Sequence, residues 1–136
     1  MTQALVHVIK LTRKPVLEQI EWIHNGMKMA VIDEVAAALA LPIKEVARAL
    51  HINERTLRNR GKKGVLNREE TEKGFRVVRV MAKAQEVLGS LEEASAWMRA
   101  PIDALGRKRP IDLLDTDLGV QEVDNLLEAI RWGVYV

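Results

Sequence analysis

The sequence predicts an all-α fold: a helix-turn-helix unit joined by a longer helix to a small helical C-terminal domain. Three observations predict it. Apolar residues recur at i, i+3 or i+4 and i+7 in the long segments. Proline, glycine and asparagine stand where such helices would begin and end. Residues 43–61, IKEVARALHINERTLRNRG, carry the small residue, apolar contacts and capped second helix of a helix-turn-helix. At 136 residues, 48% hydrophobic and 29% charged, the chain suits one compact domain or two small helical pieces sharing a core.

Taken in order, residues 4–11 (ALVHVIKL) are rich in β-branched side chains and read as a short strand. Pro15 opens a helix over Val16–His24, and Asn25-Gly26 ends it with residues that accept positive φ. Asp33–Leu41 is alanine-rich and helical. Pro42 stops it and starts the next helix, which runs to about Leu50. Asn53 caps a third helix ending near Arg60, and Gly61 and Gly64 close that unit.

Asn67 with Glu70 has the spacing of a capping box, opening a helix that runs to about Leu88, where Gly89 ends it. Its residues Val77, Val78, Met81, Ala84, Val87 and Leu88 share one face. Leu91–Arg99 is helical and stops before Pro101; Asp103–Pro110 reads as loop; Ile111–Leu114 is a short helical turn. The last helix spans about Leu118–Arg131, with Val120, Val123, Leu126, Leu127 and Ile130 on its apolar face. Gly133 terminates it and leaves an apolar tail, Val134-Tyr135-Val136.

Charge is placed unevenly. From Lys44 to Arg68 eight basic residues face only Glu45 and Glu54; from Glu86 to Val136 ten acidic residues outnumber five basic ones. The first segment suits a polyanion and the second does not. Aromatics are only 4%, which argues against a base-stacking single-strand platform.

Within residues 43–61, Ala47 is the small residue at the helix crossing, and Val46, Leu50, Ile52 and Leu57 are the apolar contacts around the turn. The turn position most often held by glycine is His51, which tolerates positive φ better than a β-branched residue. The second helix presents Arg55, Thr56, Arg58, Asn59 and Arg60. Arginine and asparagine match the guanine and adenine edges of a major groove. Lys44, Lys62 and Lys63 extend the basic surface and suit phosphates. The plainer alternative is an αα-hairpin with a solvated basic face; pattern and charge together favour double-stranded DNA.

At the other end, Arg131, Trp132, Gly133, Val134, Tyr135 and Val136 form a candidate partner-binding tail, since aromatics dominate interface hot spots. The residues alone equally allow the tail to fold back onto its own core. Asp112, Asp115 and Asp117 precede a helix and read as caps rather than a carboxylate site. His7, His24 and His51 lack ligand spacing, and Trp22 and Trp97 read as core. Cysteine is absent and no catalytic or nucleotide-cradling motif occurs, so neither an enzyme nor a cofactor or metal is expected. The longest apolar run, 35–41, is far short of a membrane span and no secretory leader is evident, so a cytoplasmic protein without membrane contact is expected.

The C-terminal half also carries a longer pattern: Ala96-Trp97-Met98, Pro101, Leu105-Gly106, Pro110-Ile111-Asp112-Leu113-Leu114, Thr116, Gly119, Val123, Leu127, Ile130 and the ending Gly133-Val134-Tyr135-Val136. With the ERTLRNR helix before it, the chain from about Gly26 to its end resembles the Xre/MbcA/ParS-type antitoxins, partners of RES-domain toxins. It departs from them at Arg107, where such sequences usually carry a second glycine.

The resemblance implies three things. The C-terminal domain would bind a RES-domain toxin, which consumes NAD, and the apolar tail would help occlude that toxin's active-site entrance. The antitoxin would bind its own promoter and repress the operon. It would form a homodimer that assembles with toxin into larger complexes. On this reading residues 1–26 are an N-terminal segment of open role, 27–66 the DNA-binding domain and 67–136 the toxin-binding domain. The rival is a stand-alone helix-turn-helix transcription regulator without a toxin partner.

Overall fold

The computed structural model describes residues 3–134. Its elements in order are α1 (Gln3–Leu11), α2 (Val16–Asn25), α3 (Met29–Leu39), α4 (Ile43–Leu50), α5 (Glu54–Asn59), α6 (Arg68–Leu88), α7 (Leu91–Met98) and α8 (Asp117–Arg131). Two one-turn 3-10 helices, Asp103–Leu105 and Pro110–Leu113, lie between α7 and α8. Among the described residues β-structure is limited to two isolated bridges, Lys28 with Val65 and Ile102 with Lys108. The expected all-α architecture is the observed one.

The 21-residue α6 is the axis of the molecule. It touches α1, α2, α4, α7 and α8, so its buried set is wider than one stripe: Thr71, Gly74, Phe75, Val80 and Ala82 join Val77, Val78, Met81 and Ala84. Its start is the anticipated capping box. The Glu70 N–H donates to Asn67 Oδ1 at 2.8 Å and the Asn67 N–H donates to Glu70 Oε1 at 2.9 Å. Gly74 lets α6 approach Met27 closely: a Cβ there would lie 2.7 Å from Met27 Sδ, and the end of that side chain would have to shift. Trp22 of α2 is half-buried against Phe75, their ring centroids 5.6 Å apart.

One element is corrected. Residues 4–11 form α1 rather than a strand. Leu5, Val8 and Ile9 have helical spacing and are buried, the helix packing on α3 and α6. Glu34 of α3 accepts the Leu5 N–H at 3.0 Å, supplying a partner to an amide of the first turn. The β-branched composition misled because burial on one face outweighs intrinsic propensity.

Boundaries shift elsewhere. The alanine-rich helix begins at Met29 and ends at Leu39, because Ala40 is left-handed (φ 54°) and the Leu41 N–H reaches back to the Ala36 carbonyl at 3.0 Å. The stretch 103–110 is a 3-10 turn followed by a tight corner at Gly106 and Arg107, both at positive φ (68° and 66°). The departure at Arg107 therefore falls on a position where glycine is the low-cost residue.

Candidate nucleic-acid surface and candidate partner surface

The helix-turn-helix is α4, the turn His51–Asn53 and α5. Val46, Ala47, Leu50 and Leu57 are buried and Ile52 is half-buried, so the apolar contacts read from the sequence meet. His51 adopts φ 55° and ψ 45°, and the Ile52 N–H donates to the Ala47 carbonyl at 3.0 Å. Asn53 caps α5, its Oδ1 accepting from the N–H groups of Arg55 (2.9 Å) and Thr56 (3.4 Å). Leu57 is the one residue of α5 that is buried, so Arg55, Thr56, Arg58 and Asn59 all stand exposed.

Within that set Arg58 pairs with Glu54 one turn back, Nε to Oε2 at 2.7 Å. Both groups are partly solvated, so the pair is worth little and exchanges readily for an outside partner. Lys44 is exposed in the first turn of α4, and Lys62 and Lys63 are exposed just beyond α5. The loop carrying them is tied down beyond Gly64: the Met29 N–H donates to the Gly64 carbonyl (2.9 Å) and the Leu66 N–H to the Met27 carbonyl (2.7 Å).

Arg60 departs from the expected DNA-facing set. Its guanidinium turns inward onto Glu70 of α6, Nε to Oε1 at 3.1 Å and Nη2 to Oε2 at 2.9 Å. The Glu70 side chain is only 8% exposed. Burial alone would raise its carboxyl. Hydrogen bonds from Arg60 and the Asn67 amide, and the charges of Arg60 and Lys73, outweigh that and hold it below the ordinary glutamate value. Lys73, one turn along α6, donates to the His51 carbonyl at 3.0 Å. The sequence marked Glu70 as a helix cap; nothing local showed that it also holds Arg60 ten residues away.

Arg109 is a second tie that sequence reasoning missed. Its Nη2 reaches Glu45 of α4 at 2.7 Å, and its Nε reaches Asp112 at the same distance. The guanidinium thereby joins the helix-turn-helix to the 3-10 turn that supports α8. Its pKa is pushed further up by these carboxylates against a smaller opposing effect of burial.

The C-terminal surface is built differently. Val123, Leu126 and Leu127 of α8 are buried, and α8 packs on α6 and on the 3-10 turn Pro110–Leu113. Gly119 makes that seat possible, because a Cβ there would fall 1.7 Å from the Leu113 carbonyl oxygen. Lys83 of α6 bridges Asp124 (2.9 Å) and Glu128 (2.8 Å). Arg131 pairs with Glu86 at 3.1 Å and Glu128 at 3.4 Å, so this candidate partner residue is also a tie between α8 and α6.

Beyond α8 the chain turns at Gly133 (φ 73°), and the Val134 N–H donates to the Ala129 carbonyl at 2.8 Å. Trp132 is 75% exposed and Val134 53% exposed, so these two do not fold back onto the core. The candidate residues Tyr135 and Val136 lie outside the described residues. Among the described residues no trio of His, Asp or Glu side chains could hold a metal ion, and no helix is long and apolar enough to cross a membrane.

Comparison with known proteins matches the chain to two family models whose boundary falls within α6. Residues 18–79 match the family model of the antitoxin Xre-like helix-turn-helix domain, and residues 83–133 that of the antitoxin Xre/MbcA/ParS C-terminal toxin-binding domain. The chain is 35% identical to antitoxin Xre of Yersinia enterocolitica, covering 98% of this chain and 92% of that one. It is 29% identical to antitoxin Xre of Photorhabdus laumondii over 82% of this chain and 77% of that one. Its fold is similar to a chain in the crystal structure of the M. tuberculosis MbcT-MbcA toxin-antitoxin complex, with a TM-score of 0.55 and 25% identity. The match covers 79% of this chain and 96% of that one.

Proposed function

The chain belongs to the Xre/MbcA/ParS antitoxin family, and from that premise we propose that it neutralises a RES-domain, NAD-consuming toxin by plugging its active site and represses its own operon. It is an antitoxin of a toxin–antitoxin system and works by binding. The observation that carries the plug reading is the exposed apolar end. Trp132 and Val134 stand in water at the close of a helix that is otherwise well seated. Such a pair gains most by entering a dry cleft, where an aromatic anchor supplies a large share of the affinity. An inserted tail excludes substrate by sterics alone and asks no chemistry of this chain.

Repression rests on α5. Arg55, Thr56, Arg58 and Asn59 meet base edges in a major groove, while Lys44, Lys62 and Lys63 hold phosphates. Two copies related by a twofold axis would set two such helices about one DNA turn apart, ~34 Å. The face of α2 supports a homodimer: Leu17 is 80% exposed, and Val16 and Ile20 lie exposed beside it.

The test is co-expression of the operon's toxin with either the full-length chain or a chain ending at Trp132. Full-length protein restores growth, the truncated chain does not, and both retain the same promoter fragment in a gel shift. Full rescue by the truncated chain would sink the plug.

A further inference from the structure

We propose that Glu70 and Lys73 of α6 are positioning residues that clamp the recognition helix α5 at both of its ends and so set its sequence discrimination without touching DNA. The inference rests on the DNA-binding reading of α5 given above.

An α5 of six residues cannot hold its own geometry, since isolated helices this short are marginal in water. Its one buried side chain is Leu57. A single apolar contact fixes a pivot but not an angle, and recognition needs side chains held within about 0.5 Å and 10–20°. The missing restraints come from one turn of α6. At the entry, Lys73 Nζ donates to the His51 carbonyl at 3.0 Å, and Glu69 steadies the ammonium at 3.5 Å. At the exit, Arg60 forks onto both oxygens of Glu70 at 3.1 and 2.9 Å. The Glu70 carboxylate is itself fixed by the Asn67 amide at 2.9 Å. A two-point fork against a largely buried carboxylate restricts rotation as well as distance.

The sign of the effect separates this role from plain electrostatics. Glu70 is an acid on the DNA-binding half of the molecule. Removing its charge should tighten binding to any duplex if Glu70 acts only through the field. The clamp requires the opposite on the promoter sequence. Glu70→Gln is the suitable variant, because glutamine can still accept from the Asn67 amide and keep the α6 cap while losing the charged fork.

We expect E70Q to lower affinity for a duplex of the operon's promoter about tenfold while leaving affinity for a random duplex unchanged or raised. Lys73→Met should lower the promoter-to-random ratio in the same direction. Arg60→Gln combined with E70Q should cost no more than either alone, since both break one bond. A DNA-free readout runs beside these. Backbone amides of residues 55–60 should exchange about tenfold faster in E70Q, with those of α3 unchanged and the melting curve still cooperative. Tighter binding of E70Q to both duplexes, or parental exchange in α5, overturns the clamp. If the parent itself fails to discriminate between the duplexes, the DNA-binding reading falls, and amide exchange alone decides whether α6 clamps α5.

Discussion

The two working ends of this antitoxin solve different positioning problems. Helix α5 is short, displays arginine and asparagine, and is held at both ends by side chains of α6. Helix α8 is 15 residues long, seats itself with its own buried face, and leaves its apolar side chains beyond the last turn. On the proposed reading α5 meets base edges, a task that needs polar groups at fixed places, and the contacts from α6 supply that restraint. Plugging a cleft, as proposed above, needs an apolar end that can be delivered into it; the ion pairs to α6 end at Arg131, and Trp132 and Val134 beyond it bond back to Glu128 and Ala129 of α8 itself. The comparison also shows why both ends hang from α6: one rigid helix can pin α5 with one turn and seat α8 with another.

The sharpest way to break this comparison is to attack the seat of α8. Gly119→Ala places a methyl group 1.7 Å from the Leu113 carbonyl oxygen, and neither backbone can yield without lifting α8 from its supporting turn. We expect a loss of about 3 kcal/mol, read from denaturant or thermal unfolding. Gly61→Ala, at the end of α5, is the control. Its Cβ meets nothing within 4 Å, so only the positive φ of 73° opposes it, and after the entropy gained by losing a glycine the net cost is about 0.5 kcal/mol. Equal losses at the two glycines would mean that α8 is not held by close approach.

A smaller effect sharpens the other end. Arg58→Ala should cost about 2 kcal/mol on the promoter duplex and relax its preference, measured by anisotropy at fixed salt against a random duplex. Folding stability should barely change, because the pair with Glu54 is solvated. A variant that binds both duplexes as the parent does removes Arg58 from the recognition surface.

The same contrast explains what could be read from the sequence. Helix α5 was legible because its signals are local: the Asn53 cap, a single apolar Leu57, the left-handed residue at His51 and the closing Gly61. The start of α6 was legible for the same reason. Contacts between distant segments were not. Residues 4–11 looked like a strand because their β-branched composition outweighed the helical spacing of Leu5, Val8 and Ile9, and the packing on α3 and α6 that decides between the two is not local. Arg60 looked like a DNA contact alone, and its fork onto Glu70 was not legible, because Glu70 was visible only as a cap. Arg109, with one partner 64 residues away, carried no signal at all. In the C-terminal half the pattern of Pro110, Thr116 and Gly119 could be matched to a family. The reason for its glycine emerges only from the carbonyl of Leu113 beneath it.

The smallest expected effects lie at three corners where residues other than glycine hold positive φ: Ala40, His51 and Arg107. All three are exposed, so replacing the side chain sacrifices little packing. A left-handed backbone costs an ordinary residue roughly 1–2 kcal/mol, and glycine escapes that cost. Glycine in turn loses more freedom on folding, by roughly 0.4–1 kcal/mol. The difference favours glycine by about 0.5 kcal/mol per corner, or a melting temperature about 2 °C higher in a domain of this size. His51→Gly bears most directly on the comparison. The carbonyl that Lys73 grips belongs to the backbone and survives the substitution. Stability should therefore rise slightly while the ratio of promoter to random binding stays at the parental value. A fall in that ratio with stability intact would show that the imidazole itself, rather than the turn it shapes, takes part in placing α5.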